Sequence, residues 1–129
     1  MTDAGIRLAN EAKQKDIQEK AQKKALTDMD ANWGKIAEDT KRERDELVKN
    51  GYSFKAYNSS TDSTMKEFRE SQAYKALWSD QEAWHKITAE ARNAANAAGW
   101  STLEEYQFLR DRYLKQATEE WFAKTGQNK

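Results

Sequence analysis

The feature that most constrains the fold is the absence of proline from all 129 residues. At an average usage near 5%, a chain of this length would contain about six prolines. Proline ends helices because its ring removes a backbone donor and clashes with the preceding turn. A chain without proline meets no such stop, so the sequence favours long helices. Cysteine is also absent, which excludes disulfides, thiolate chemistry and zinc sites that need sulfur.

Helix boundaries are marked by glycines and by capping boxes, in which Ser or Thr precedes an acidic residue by three positions. The glycines that can end a helix in a left-handed conformation are Gly51, Gly99 and Gly126. The capping boxes begin at Thr64, Ser79 and Ser101, with a weaker variant at Thr27. These signals predict helices over residues 3–25, 28–50, 64–78, 80–98 and 102–124, with the first two either separate or joined as one rod.

The apolar pattern of the first fifty residues changes direction along the chain. At 100° per residue, one stripe contains Leu26, Met29, Trp33, Ile36, Ala37, Leu47 and Val48. Thr40, Glu43 and Arg44 interrupt this stripe, and Ile17 lies on roughly the opposite side of the same wheel. A single straight helix cannot bury both sides against one surface. We therefore expect either a break near Leu26 or a separate contact for residues 1–25.

The aromatic residues locate the core. Of the fourteen (5 Trp, 5 Tyr and 4 Phe), only Trp33 precedes residue 51, and large rings dominate core burial. We predict a single all-α domain of four to five amphipathic helices, in which a long charged N-terminal helix or helix pair packs on a C-terminal three-helix aromatic core. Residues 1–50 are a charged region that could serve as an oligomerisation or partner-binding arm. Residues 51–63 form an aromatic connector, and residues 64–129 form the three-helix core.

The connector at 51–63 admits two interpretations. It is the longest stretch without helical signals, and its rings stand at Tyr52, Phe54 and Tyr57. In the first interpretation the rings fill the core. In the second the loop offers its tyrosines to a partner.

Two of the C-terminal helices are apolar on more than one side. In helix 102–124, Phe108 and Phe122 lie roughly 100–140° away from the main stripe, and in helix 64–78, Tyr74 and Trp78 point away from Phe68. Residues 1–25 contain too few large apolar side chains to cover both extra faces. This mismatch indicates a protein-binding surface, for which the candidate residues are Trp33, Tyr57, Tyr74, Trp78, Phe108, Arg110 and Phe122.

Arg110 falls inside the main stripe of helix 102–124, where a guanidinium needs a partner. One interpretation is structural, with an ion pair to Glu82, Glu90 or Asp111 or stacking on a ring. The other is an interface hot spot, because Arg, Trp and Tyr dominate such positions.

The signals for catalysis, metal binding and cofactors are absent from the local sequence. His85 is the only histidine, so no sequence-adjacent partner completes a metal shell. The neighbouring carboxylates at 104–105 and 119–120 diverge by 100° on a helix, which does not suit acid–base work. We predict that the protein is not an enzyme and uses no cofactor or metal.

The hypothesis we favour is a small helical protein–protein interaction module, either a homo-oligomeric assembly component or an adaptor or inhibitor. We expect no membrane partner, because no apolar run is long enough to span a membrane. Lacking a secretory signal, the protein is expected in the cytoplasm, and its composition is compatible with a phage or mobile-element protein. The alternative is nucleic-acid binding through the Lys-rich N-terminal helix, which the balance of 22 basic and 22 acidic residues disfavours. An enzyme with carboxylate chemistry is the third hypothesis.

Overall fold

The computed structural model describes the backbone of residues 3–126 and the side chains of residues 13–126. Every regular element in this range is helical, which confirms the predicted all-α class. The helices are α1 (Asp3–Asp28), α2 (Trp33–Lys49), α3 (Ser63–Arg69), α4 (Gln72–Trp78), α5 (Gln81–Ala98) and α6 (Leu103–Lys124). Short 3₁₀ turns lie at Met29–Ala31 and Phe54–Ala56. The number of α-helices exceeds the predicted four to five because the segment predicted as helix 64–78 forms two helices.

Helix α6 is the centre of the fold, since each of the other five helices packs against it. A helix with one apolar stripe leaves its opposite face in water. In α6 the buried side chains are spread around the helix instead: Glu105, Phe108, Leu109, Asp111, Tyr113, Ala117, Thr118, Trp121 and Phe122. The rest of the chain is therefore arranged to enclose this helix from several sides.

The larger of two buried clusters joins α6 to the end of α1 and to α2, α4 and α5. Its buried members are Ala25, Met29, Ile36, Ala73, Leu77, Ala83, Ile87, Ala91, Tyr113, Ala117, Trp121 and Phe122. Helix α5 contributes mainly alanines to it, and small side chains let α6 approach closely. The alanine face of α5 thus serves an intramolecular contact.

The connector between α2 and α3 covers the other side of α6. Phe54 and Tyr57 are buried, and together with Phe108 they form the second core cluster, against which Leu47 packs. The ring centroid of Phe108 lies 4.9 Å from that of Phe54 and 5.5 Å from that of Tyr57. The first interpretation of the connector, in which its rings fill the core, holds for Phe54 and Tyr57, whereas Tyr52 is 44% exposed and contacts Phe54 edge to face.

The N-terminal region is two helices and not one rod. Helix α1 continues to Asp28, a 3₁₀ turn follows, and α2 starts at Trp33. Met29 and Ile36, on either side of this junction, are fully buried, whereas Ile17 remains 52% exposed. Of the two alternatives that the change in apolar direction left open, the structure shows the break, which lies a few residues after Leu26 and leaves Met29 in the core.

A second break, at Glu70–Ser71, was missed by the sequence analysis. The Ser71 hydroxyl donates to the carbonyl of Phe68 at 2.6 Å and accepts from the amide of Tyr74 at 3.2 Å. One side chain thus ends α3 and caps α4. The prediction of a continuous helix over 64–78 is wrong because a serine inside the apolar pattern competes for backbone groups.

The capping residues differ from the predicted ones by one or two positions. Thr64, Ser79 and Ser101 were expected to cap, but the side chains that accept from the N-terminal amides are those of Asp62, Asp80 and Thr102. In each case an equally good cap stands close to the predicted one. The C-terminal signals are confirmed, since Gly51, Gly99 and Gly126 all have positive φ.

The indole of Trp121 ties α1 to α6. Its Nε1 donates to the carbonyl of Gln22 at 3.1 Å, and the side chain is fully buried. In Trp121→Phe this carbonyl loses the indole donor and the core loses volume, so we expect the free energy of unfolding to fall by about 1–3 kcal/mol. Urea unfolding followed by circular dichroism measures this loss.

The matched control is Trp78→Phe, at a tryptophan that is 68% exposed. That exposed substitution should change the stability by no more than about 0.5 kcal/mol. Equal losses in the two variants would show that the Trp121 hydrogen bond does not anchor α1.

Candidate partner-binding surface

The seven residues predicted to bind a partner fall into three groups in the structure. Tyr57, Phe108 and Phe122 are buried within the chain. Trp33, Tyr74 and Arg110 are partly exposed. Trp78 is the most exposed large apolar side chain among the described residues, at 68%.

The buried group shows that α6 exposes less aromatic surface than the sequence predicted. The prediction assumed that only residues 1–25 could cover the extra apolar faces of α6. In the structure the connector covers Phe108, and Phe122 belongs to the same cluster as Ala73 and Leu77 of α4. The extra faces of α6 are therefore enclosed by the chain itself. The exposed aromatic surface instead includes Trp78 of α4, which contacts Trp84 of α5.

Four rings form a continuous line over α3, α4 and α5, which we name the aromatic row: Phe68, Tyr74, Trp84 and Trp78. Each ring meets the next edge to face, with centroids separated by 5.2 Å for Phe68–Tyr74, 6.3 Å for Tyr74–Trp84 and 5.2 Å for Trp84–Trp78. The row starts at the buried Phe68 and ends at the exposed Trp78. It therefore leads from the core to the surface.

The local sequence explains why Trp78 is left at the surface. It is the last residue of α4, and the chain turns through Ser79 into α5. No further helical turn follows that could shield the ring, so it rests only on the edge-to-face contact with Trp84. Such contacts contribute about 0.5–1.5 kcal/mol, which fixes the orientation of the ring without hiding it.

A cleft of about 280 Å³ adjoins the aromatic row, between α3, α4, α5 and α6. Its apolar walls come from Met65, Phe68, Tyr74, Trp84, Ala91 and Leu114. Three guanidinium groups also line it, those of Arg69, Arg92 and Arg110. We name this site the arginine cleft. Tyr74 and Trp84 belong to both the row and the cleft, so the two form one continuous surface.

The one carboxylate that lines the arginine cleft is already satisfied by the protein. Asp111 is 2% exposed and accepts from the Tyr57 hydroxyl at 2.7 Å and from Arg110 Nη2 at 3.2 Å. Burial, together with the hydrogen bond to this carboxylate, raises the pKa of Tyr57 well above its usual range, so the hydroxyl remains a donor. Of the partners expected for Arg110, the structure shows Asp111 as an ion pair and the Tyr106 ring, whose centroid lies 5.9 Å from the guanidinium carbon.

The other arginines of the cleft retain free donors. Arg69 Nη2 donates to the carbonyls of Ser59 and Ser60, at 3.0 and 3.4 Å. Arg92 is exposed and makes no hydrogen bond or ion pair with any residue in the part of the chain with described side chains. The cleft therefore presents three cations against one carboxylate. Its chemistry suits an anion with an apolar neighbour.

A second exposed aromatic site lies at the turn between α5 and α6. Trp100 is 44% exposed, its Nε1 donates to Asn96 Oδ1 at 3.0 Å, and its ring meets Tyr106 edge to face at 5.3 Å. Trp100 lies on the turn after α5, whereas Trp78 ends α4. It provides a matched exposed tryptophan for comparison with Trp78.

Arg44 is the residue that sequence reasoning missed. Its side chain is only 11% exposed and spans from α2 to the α5–α6 turn. Nη1 pairs with Glu105 Oε1 at 2.8 Å and also reaches the carbonyl of Gly99, while Nη2 donates to the carbonyl of Ala98 at 2.9 Å. The available signal was the interruption of the apolar stripe of α2 at this position.

The alternative hypothesis, nucleic-acid binding, depends on the lysines of α1. Those at positions 13, 15, 20, 23 and 24 are all exposed. Two of them pair with aspartates of the same helix, Lys20 with Asp16 at 3.0 Å and Lys24 with Asp28 at 2.9 Å. Such pairs reduce the positive field that a phosphate backbone would meet.

Within the described residues, no three His, Asp or Glu side chains are placed to hold a metal ion. No helix in the same range is long and apolar enough to cross a membrane. The aromatic row and the arginine cleft thus remain the candidate site.

No protein-family model, curated protein or solved structure matches the chain. A function must therefore be inferred from the chemistry of its own side chains.

The Arg44–Glu105 pair generates a pH-dependent prediction. Burial raises the pKa of Glu105, but hydrogen bonds from the Ser101 amide and hydroxyl and from Arg44 outweigh it, so the pKa lies below the usual value. A carboxyl whose pKa is lowered by folding stabilises the protein above its unfolded pKa of about 4.3. This stabilisation is lost as the pH falls through the folded pKa.

In Glu105→Gln we expect the free energy of unfolding to fall by about 1–3 kcal/mol at pH 7, because Arg44 loses its buried partner. The difference from the wild type should shrink at pH values below about 4. Urea unfolding at a series of pH values measures both effects, with Glu104→Gln as the matched control. If the difference in the free energy of unfolding between Glu105→Gln and the wild type stays constant down to the lowest pH, the pKa of Glu105 is not lowered by its contacts with Arg44 and Ser101.

Proposed function

We propose that this protein is a small helical interaction module that binds another protein, or a second copy of itself, through the aromatic row. The observation that carries the proposal is Trp78, a tryptophan 68% exposed at the end of a line of packed rings. Isolated apolar groups on a surface are ordinary, whereas a connected aromatic patch is typical of a binding site.

The residue types support this proposal. Tryptophan, tyrosine and arginine dominate the energetics of protein interfaces, and all three meet at the row and its adjoining cleft. Covering the exposed part of a large aromatic side chain contributes on the order of 2 kcal/mol. The ring is also held in place before binding, so little rotamer entropy is lost when a partner covers it.

Two forms of the proposal differ in the partner. In a homo-oligomeric assembly component, the row would pack against a second copy of the chain. In an adaptor or inhibitor, the row would bind a different protein. Both forms need Trp78 and neither needs a cofactor.

The deciding experiment combines solution mass with photo-crosslinking from the row. If the row binds a second copy, light scattering gives a multiple of 14.9 kDa, and Trp78→Ala shifts the mass toward the monomer while Trp100→Ala does not. If the wild type is a monomer, a photoreactive amino acid at position 78 should capture a host protein that the same group at position 100 does not.

A monomer that yields no specific crosslink from position 78 would contradict the proposed function. Thermal unfolding of both alanine variants serves as the folding control, because Trp78 also contacts Trp84.

A further inference from the structure

We propose that the arginine cleft binds an acidic side chain of the partner, on a peptide segment that also carries a large apolar residue. This inference rests on the proposed function, since the segment belongs to the protein that covers the aromatic row. It adds the chemical class of the partner to the surface that the row defines.

The size and the walls of the cleft favour a peptide side chain. Its volume of about 280 Å³ is at the lower end of ligand pockets, which begin near roughly 300 Å³. Phe68, Tyr74 and Trp84 supply an apolar wall. A site of this size accommodates one or two side chains and is too small to enclose a large cofactor.

The charge of the cleft favours an acidic group. Of the three guanidinium groups, Arg110 is held by Asp111, and Arg69 is held by backbone carbonyls. Arg92 makes no pair in the described part of the chain and keeps its donors for a ligand. Asp111 already accepts from Tyr57 and Arg110, so it leaves a net positive site. A guanidinium binds a carboxylate through two parallel hydrogen bonds.

The position of the cleft favours a protein segment over a small anion. Tyr74 and Trp84 line the cleft and also belong to the aromatic row. A segment with its carboxylate at Arg92 can therefore continue across Trp84 to Trp78, which a free ion cannot do. A nucleic-acid strand would need a basic track along its phosphates, and the chain carries 22 acidic residues against 22 basic ones.

The test uses the full chain and two capped hexapeptides, one alternating glutamate with phenylalanine and the other alternating glutamine with phenylalanine. Binding is read from the indole N–H signals of the ¹⁵N-labelled protein, in which each tryptophan reports separately. We expect the glutamate peptide to shift the Trp84 signal and the glutamine peptide to bind roughly tenfold more weakly.

The variant that tests the cleft is Arg92→Gln, which removes an exposed guanidinium without an internal partner. It should weaken the glutamate peptide roughly tenfold. The matched control is Arg42→Gln, because Arg42 is an exposed arginine of α2 that does not line the cleft. This variant should bind the glutamate peptide as tightly as the wild type does.

Three results of the peptide titrations would overturn the inference, and a fourth comes from dilution of the protein alone. The three are equal binding of the two peptides, unchanged binding in Arg92→Gln, and displacement of the glutamate peptide by single-stranded polyuridylate, which would assign the site to nucleic acid. A Trp84 signal that shifts on simple dilution, without peptide, would instead assign the cleft to a second copy.

The inference and the proposed function fail separately. If position 78 captures a partner and the glutamate peptide does not bind, only the acidic assignment of the cleft is wrong. If the peptide binds in the cleft and position 78 captures nothing from a monomeric chain, the row is not the interface.

Discussion

The burial of α6 on several sides is the constraint on which the rest of the structure depends. A helix that carries Phe108 on one side and Trp121 on another cannot rest on the surface of a bundle. The connector has to close over the first side, and α1, α2, α4 and α5 over the others. The bend between α1 and α2 follows from the same need, because it brings both Met29 and Ile36 into the core.

This enclosure also explains where the protein has aromatic surface left. Most rings of α6 and two of the three connector rings lie in the core, whereas α4 is too short to bury its last residue. Trp78 therefore remains outside, supported by Trp84, next to a cleft whose arginines exceed its acidic groups. The proposed interaction surface is thus a consequence of how the core is closed, and it lies on α3, α4, α5 and α6 and not on residues 1–50.

The sequence predicted the helical class and the glycine helix ends, because each depends on local chemistry, whereas it left open whether the connector rings pack in the core. It missed Arg44 and the arginine cleft. Arg44 meets Glu105 across 61 positions of sequence, and Arg69, Arg92 and Arg110 converge from three helices. Such convergence leaves no periodic signal. The break at Ser71 was missed because the change in apolar direction between Phe68 and Tyr74 was interpreted as a second apolar face of one helix.

The most direct measurement of the central claim is hydroxyl-radical footprinting of the five tryptophans in the native chain, read by mass spectrometry. If the chain encloses α6 by itself and leaves the row exposed, Trp78 is oxidised fastest, Trp100 follows, and Trp121 is protected until the protein unfolds. Oxidation of Trp121 as rapid as that of Trp78 in the folded protein would contradict the account.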